Sequence, residues 1–467
     1  MRLAKILAVS ALTACAPSAH VPAPTADVAM NRPTEPGVPR GLASGQPQGL
    51  VATAPLQISR SNAEIAQDFL DLEFRMESGR PLPMMTRFEG PIRVAMTGKV
   101  PPTAQGDLTR LLSRFRSEAG IDIRQADGPA QITVEFVPRS TIRKTYANVA
   151  CFVAPRVSSW EEYKSARGTG QLDWATLTRR DRVAIFAPAD ASPQEVRDCL
   201  HEEMAQALGP LNDLYQLSDS VFNDDNFHTV LTGFDMLVLR LHYSPGLRNG
   251  MTRDEVAAAL PGLLARMNPG GAGGGATHDG GRTPQAWIRA METALGGGGT
   301  GSARKAAAQQ ALAIASAQGW NDTRLAFSWF AVGRLNIGAD PVAAANAFGE
   351  AARIYRRLPG ARIHAAHVDM QLAALALSQG RADQALAFTE RALPVARQAQ
   401  NASLLATLSF LKAEVLEAQG DARAAAALRL DTQGVARYGF GSDAVTRARL
   451  RDIAALMPSK LRLALGG

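Results

Sequence analysis

The chain has 467 residues, enough for two or three domains, and is 46% hydrophobic and 20% charged. That composition excludes a disordered chain; a helical membrane span is excluded because no run of about 18 apolar residues occurs, and a disulfide-stapled scaffold because there are three cysteines. The formal charge of +7 is uneven: residues 303–467 carry 20 basic against 12 acidic residues, 17 of the cations being arginine, while the rest is close to balance.

At the N-terminus, Arg2 and Lys5 precede a short apolar stretch, Ile6 to Leu12, and then Leu12-Thr13-Ala14-Cys15. A positive start, a short apolar core and small residues before a cut site describe a secretory signal. The segment resembles a bacterial lipoprotein lipobox. The resemblance implies cleavage before Cys15, lipid on Cys15 and, with Ala16 rather than Asp next, retention at the outer membrane on its periplasmic side. An ordinary signal with an incidental cysteine is the alternative. Residues 16–50 hold seven prolines and four glycines and bury too little apolar area to offset their ordering entropy. The reading is a signal peptide over 1–14 and a lipidated, disordered tether over 15–50.

Ser61 to Glu64 forms a capping box that opens an amphipathic helix of about 17 residues, with Ile65, Phe69, Leu72 and Met76 on one face. Apolar patterning predicts strands over 91–97, 121–123, 131–137 and 183–186, and a helix over 103–119. Ser192-Pro193-Gln194-Glu195 combines a capping box with proline at the first helical position, and that helix runs to Leu208 before Gly209-Pro210. With Cys15 given to lipid, Cys151 and Cys199 remain. In an oxidising compartment they pair, closing a loop of about 47 residues worth roughly 4 kcal/mol; the alternative is two separate buried thiols.

This order of strand, helix, strands and a capped helix ending at glycine resembles the upper half of a zincin-type metallopeptidase. Metzincins carry HExxHxxGxxH, in which three imidazoles and a water hold zinc and the Glu takes the water's proton. Here the stretch is Glu202 to Asn212. Glu203 matches the catalytic Glu and Gly209 the bend, but Glu202, Gln206 and Asn212 stand at the three histidine positions. His201 does not open an HExxH, since Ala205 lies four residues on; it is read as a structural or surface histidine. Ser220-Val221-Phe222-Asn223 falls where the Met-turn would, with Phe222 in place of Met, and Leu231–Met236 and Leu239–Tyr243 resemble the segment that follows. The similarity spans about 90–243. The chain also resembles an uncharacterised domain family of Gram-negative lipoproteins, through an E-E-x-x-Q-x-L-G helix followed by N-D and S-x-F-N-D. Glu202, Glu203, Gln206, Leu208, Gly209, Asn212, Asp213, Ser220, Phe222, Asn223 and Asp224 match it. That family has no established activity.

The donors left at the damaged site are all oxygen. They suit a closed hydrogen-bond network without metal, a hard cation, or a metal-independent hydrolase with Glu202 and Glu203 as acid and base. Adjacent helical residues diverge by about 100°, which places that pair poorly for one substrate. The expectation is no zinc and no cofactor. Asn223 to Asn226 form a polar cluster, read as a solvated turn or a cation site.

Residues 270–281 hold seven glycines and 296–301 five, flexible breaks flanking a short helix over 284–295. Beyond them Gly338, Gly380 and Gly420 recur at 42 and 40 residues, each with Ala seven before (Ala331, Ala373, Ala413) and Ala five after (Ala343, Ala385, Ala425). Small residues there let antiparallel helices approach around a glycine turn. The pattern resembles tetratricopeptide repeats, best over 372–393, and implies a solenoid with a groove for a partner peptide; a plain helical bundle is the alternative. Arginine forks suit a partner's carboxylates, and no aromatic-basic interleaving of a nucleic-acid module appears. The sequence thus predicts an α+β zincin-like domain over 51–262, a glycine-rich linker with a short helix over 263–301, and an α-solenoid over 302–467. The expected protein is a membrane-anchored envelope lipoprotein that binds a protein partner in its repeat groove without catalysis. The alternative is an envelope hydrolase, peptidase-like, using Glu203 in a non-zinc site.

Overall fold

The computed structural model describes residues 50, 58, 60–146, 149–274, 282–296 and 298–458. The signal segment, Cys15 and nearly all of the tether lie outside them. The N-terminal domain runs α1 (Asn62–Glu73), β1 (Ile92–Gly98), α2 (Ala104–Glu118), β2 (Ile123–Gln125), β3 (Ile132–Val137), α3 (Arg139–Thr145), β4 (Phe152–Pro155), α4 (Trp160–Ala166), β5 (Val183–Pro188), α5 (Pro193–Leu208), α6 (Gly233–His242) and α7 (Arg253–Met267). Its five strands form one sheet in the order β2-β1-β3-β5-β4, parallel except for the antiparallel edge strand β4. Register is pinned by Val94 against Ile132 and Ile132 against Val183.

Every residue of β5 is buried. The two-residue period sends Val183, Ile185 and Ala187 into the core under α2 and α5, and Ala184 and Phe186 into an aromatic layer with Phe152, Trp160 and Tyr163. A helix face on one side and α3 and α4 on the other explain why this strand reads as a continuous apolar run. The Ser61 capping box is present, with Ser61 Oγ accepting from Glu64 N at 3.2 Å. α1 is 12 residues long and ends short of the predicted stop. Arg75 turns to pair with Pro81, and Met76 pairs with Leu211, which draws the chain away from the helix axis toward the end of α5.

The second domain is helical: α8 (Gln285–Leu295), α9 (Gly301–Ala317), α10 (Thr323–Asn336), α11 (Pro341–Tyr355), α12 (Arg362–Ser378), α13 (Ala382–Gln398), α14 (Ala402–Ala418), α15 (Ala422–Asp431), α16 (Gln433–Phe440) and α17 (Asp443–Ala454). Consecutive helices pack in neighbouring pairs, an arrangement that fits an α-solenoid. Ala331, Ala373 and Ala413 are all fully buried, and Gly380 and Gly420 turn with φ of 73° and 90°. After the turn, Ala385 and Ala425 are buried as their spacing predicts, but in the first repeat the buried residue is Ala344 rather than Ala343. There α11 starts at Pro341, three residues beyond Gly338, whereas α13 and α15 start two beyond their glycines. The longer first turn shifts the inward position by one.

The helix over 284–295, read as part of a linker, belongs to the helical body. Trp287 is fully buried, donates from Nε1 to Ser328 Oγ at 2.9 Å and shares a core with α9 and α10. That core also takes in Tyr215 and Phe227 from the N-terminal domain. Polar contacts extend the junction: Arg197 donates to Gln400 O, Gln194 accepts from Ser403 N, and Tyr438 donates to Asp107.

Candidate functional site

α5 carries the motif helix, and its ends are fixed differently. At its start Ser192 Oγ accepts from Glu195 N at 3.2 Å, but the Glu195 carboxylate does not complete a capping box; it pairs with Arg139 at 2.6 Å. In the middle, Cys199 is joined to Cys151, just before β4, with Cα atoms 6.0 Å apart. At its end the buried Arg180 guanidinium donates to the carbonyls of Gln206 (2.6 Å), Ala207 (2.8 Å) and Gly209 (2.5 Å). Tyr243 OH adds a bond to Leu208 O at 2.9 Å. These donors satisfy carbonyls that a helix C-terminus leaves without intrahelical partners, and a cation is favoured there by the helix dipole.

Gly209 does sit at the bend, and it is not a positive φ that calls for glycine there. Space does. A Cβ there would lie 3.3 Å from the imidazole of His242. His242 is itself fully buried and bonded to Glu73 at 2.6 Å. Arg180, His242 and Glu73 are therefore the residues that shape this end of the site, and none belongs to the motif. The one sequence hint was His242 inside the Leu239–Tyr243 segment.

The four motif positions Glu202, Glu203, Gln206 and Asn212 are not equivalent. Glu203 is 1% exposed. Glu202, one residue earlier, is only partly covered, as adjacent helical positions require. Gln206 Nε2 donates to Glu77 Oε1 at 3.3 Å, and Asn212 Nδ2 donates to Asp71 O at 2.8 Å. Gln206 thus turns to the segment that follows α1, and Asn212 to the last turn of α1 itself. Burial and the charges of Glu77, Asp224 and Glu202 push the Asp213 carboxyl well above the usual carboxylate range. Asp224 also accepts from Tyr215 OH at 2.5 Å. Asp213, Glu77 and Asp224 thus join Glu202 in a carboxylate cluster beside Gln206. Among the described residues no group of three or more His, Cys, Asp or Glu side chains is arranged to hold a metal ion.

Phe222 is fully buried in the N-terminal core, its backbone bonded to Leu214 N and Ser220 Oγ. His201 is buried, accepts from Leu231 N at 3.2 Å and is held well below its ordinary value by burial, so it is a structural, neutral imidazole. The polar cluster is not a solvated turn. Asn223 and Asp225 are each 2% exposed and bonded to one another at 2.9 Å. A cavity of about 330 Å³ opens beside Arg180, lined by Arg156, Arg179 and Arg182. Its cations are already engaged: Arg156 with Thr176, Arg179 with Asp181 and Arg182 with Glu162.

Residues 62–262 match a family described as a protein of unknown function, DUF2927. The match begins with α1, covers the sheet and α5, and ends within α7, before the helical domain. No curated protein and no solved structure matches the chain.

Proposed function

We propose that the chain is a non-enzymatic binding protein of the bacterial envelope, anchored through lipid on Cys15 to the outer membrane and facing the periplasm. Its N-terminal domain is a zincin-like unit that has lost its zinc ligands, and its helical repeats bind an acidic protein partner. The observation that carries this reading is the burial of Glu203. A general base must reach a water and a substrate, whereas this carboxylate is 1% exposed. Gln206 and Asn212 are bonded to the α1 side of the domain instead of facing an open cleft.

The repeats supply the surface. Arg356 and Arg391, each more than 40% exposed at the side chain, converge on the buried carboxylate of Asp369. Two guanidinium groups on one carboxylate leave a positive excess; Arg357, exposed just past the end of α11, adds to the cations there, and Arg353 in the last turn of α11 is shared with Glu350 at 2.7 Å. Planar forks of this kind recognise carboxylates.

The test uses the whole chain, because the two domains share a core. A polyglutamate peptide is the probe. Affinity should fall as salt rises and drop about tenfold in an Arg353→Glu/Arg357→Glu double variant, while Glu203→Ala leaves it unchanged. Equal binding by the charge-reversed variant would refute the repeat surface. Turnover of a peptide substrate that Glu203→Ala abolishes would replace this reading with the hydrolase.

A further inference from the structure

Phe227 leaves the N-terminal domain and inserts between two imidazoles of α12, with ring centroids 4.8 Å from both His364 and His367. Phe327, Phe330 and Tyr355 close the rest of its surroundings. All three central rings are buried: Phe227 at 1%, His364 at 0% and His367 at 3% exposure. Asp225 builds the turn that presents Phe227. Its Oδ1 accepts from Phe227 N at 3.1 Å, and its Oδ2 accepts from Asn223 at 2.9 Å and from His364 Nε2 at 2.9 Å. On the far side His228 lies 5.4 Å from His364 and donates Nε2 to Ser218 O at 3.1 Å. The imidazoles of His364 and His367 have no acceptor at Nδ1 among the described residues.

We propose that Asp225, Phe227 and His228, seated among Tyr355, His364 and His367, form a clasp between the two domains that acid releases. Two imidazoles of α12 flank one buried benzyl ring, a third from the N-terminal domain, His228, lies against His364, and one carboxylate, Asp225, is bonded to His364. The other charged and titratable groups facing the cluster are Asp219 from the same loop, Arg334 from α10, Asp322 just before α10 and Tyr355 from α11. Asp219 is already held by Arg60. Arg334 adds positive charge beside His367. Asp225 is therefore the one carboxylate of this group that is bonded to an imidazole, and the other charges facing the cluster are paired or positive.

The direction follows from linkage. Burial first, and the neighbouring His364 second, bring His228 down to about 4 and His367 to about 3. In the released state each returns toward about 6.5. Between those values the released form binds more protons, so lowering pH from about 6.5 toward 4 favours release, and above about 7 the histidines exert no pull. Each imidazole tilts the equilibrium by more than about tenfold at pH 5. Release would bare Phe327, Phe330 and Tyr355 on the repeats. The clasp stands apart from the acidic-partner reading, since it opens or stays shut with no partner present.

Hydrogen exchange of the full chain, corrected for intrinsic rates, reads it directly. Protection of 215–231 and 360–372 should fall more than about tenfold between pH 7 and pH 5, while β3 and β5 stay protected. His228→Gln/His367→Gln should keep protection at pH 5. Asp225→Asn, which retains the oxygen facing Phe227 N but removes the balancing charge, should release at a higher pH than the parent. A parent chain with equal protection at both pH values refutes the clasp. So does a double variant that opens like the parent, or an Asp225→Asn chain whose midpoint does not rise.

Discussion

Arg180 serves three carbonyls at once, those of Gln206, Ala207 and Gly209, from a position 4% exposed. Burial lowers its own tendency to hold a proton, so the charge is kept there by the helix end and by the face of Trp174, 5.1 Å away. Arg180→Met should cost about 3 kcal/mol in urea unfolding, since buried carbonyls lose a charged donor. Arg180→Lys should recover less than half, because an ammonium cannot reproduce the fork. Full recovery by Lys would mean that charge alone matters. Gly209→Ala should cost about 1–2 kcal/mol by pressing on a His242 ring that Glu73 holds in place. In the sequence the motif residues of α5 were legible because they lie within one helix and its turn. Arg180 and Glu73 were not, and His242 only as a member of the Leu239–Tyr243 segment, because their partners are set by the packing of separate elements and leave no local pattern.

Elements with strong local chemistry matched their sequence signals closely. α2, β1, β3 and α5 fall within a residue or so of the predicted bounds, each having a cap or an uninterrupted apolar pattern. β4 and α4 gave no comparable signal. β4 has four residues and exists as a strand because β5 offers it an edge and because Cys199 ties down the residue before it. That tie can be weighed. With the cysteines separated by 48 positions in sequence, reduction should lower the unfolding free energy by about 4 kcal/mol in the chain-entropy account. Urea denaturation with and without reductant measures it, and a Cys151→Ala/Cys199→Ala chain should show the same loss without responding to reductant. A loss under about 1 kcal/mol would mean that the sheet and α5 already hold this loop. The repeats were legible from alanine and glycine spacing alone, and the one-residue slip at Ala344 has its cause in a longer turn at Gly338.

Over the whole molecule, glycine content pointed to a break between two bodies, and composition gave no sign that they share a core. The residues that join them are ordinary apolar or polar residues in each half: Tyr215 and Phe227 on one side, Trp287, Phe327 and Phe330 on the other. Only their juxtaposition makes an interface. The Asn223 to Asn226 stretch illustrates why the sequence misleads here, since four polar residues in a row suggest a solvated turn until His364 arrives from a distant helix. Further polar contacts reinforce the junction, Arg197 with Gln400 O at 2.8 Å, Gln194 with Ser403 N at 2.7 Å and Tyr438 with Asp107 at 3.1 Å, so it spans α2, α5, α14 and α16 as well as the loop. A junction this broad should survive cutting the chain. Fragments ending at residue 274 and starting at residue 282, produced together, should co-elute as a one-to-one complex at neutral pH with a dissociation constant below about 1 μM. Because the centre of the contact is aromatic and not ionic, raising the salt should leave that complex intact. Phe227→Ala should weaken it by about 100-fold, the loss expected when a buried aromatic anchor is removed from the middle of an interface. Fragments that elute apart at about 10 μM, or a Phe227→Ala pair as tight as the parent, would mean that the domains are held together by their linker and not by the surface described here.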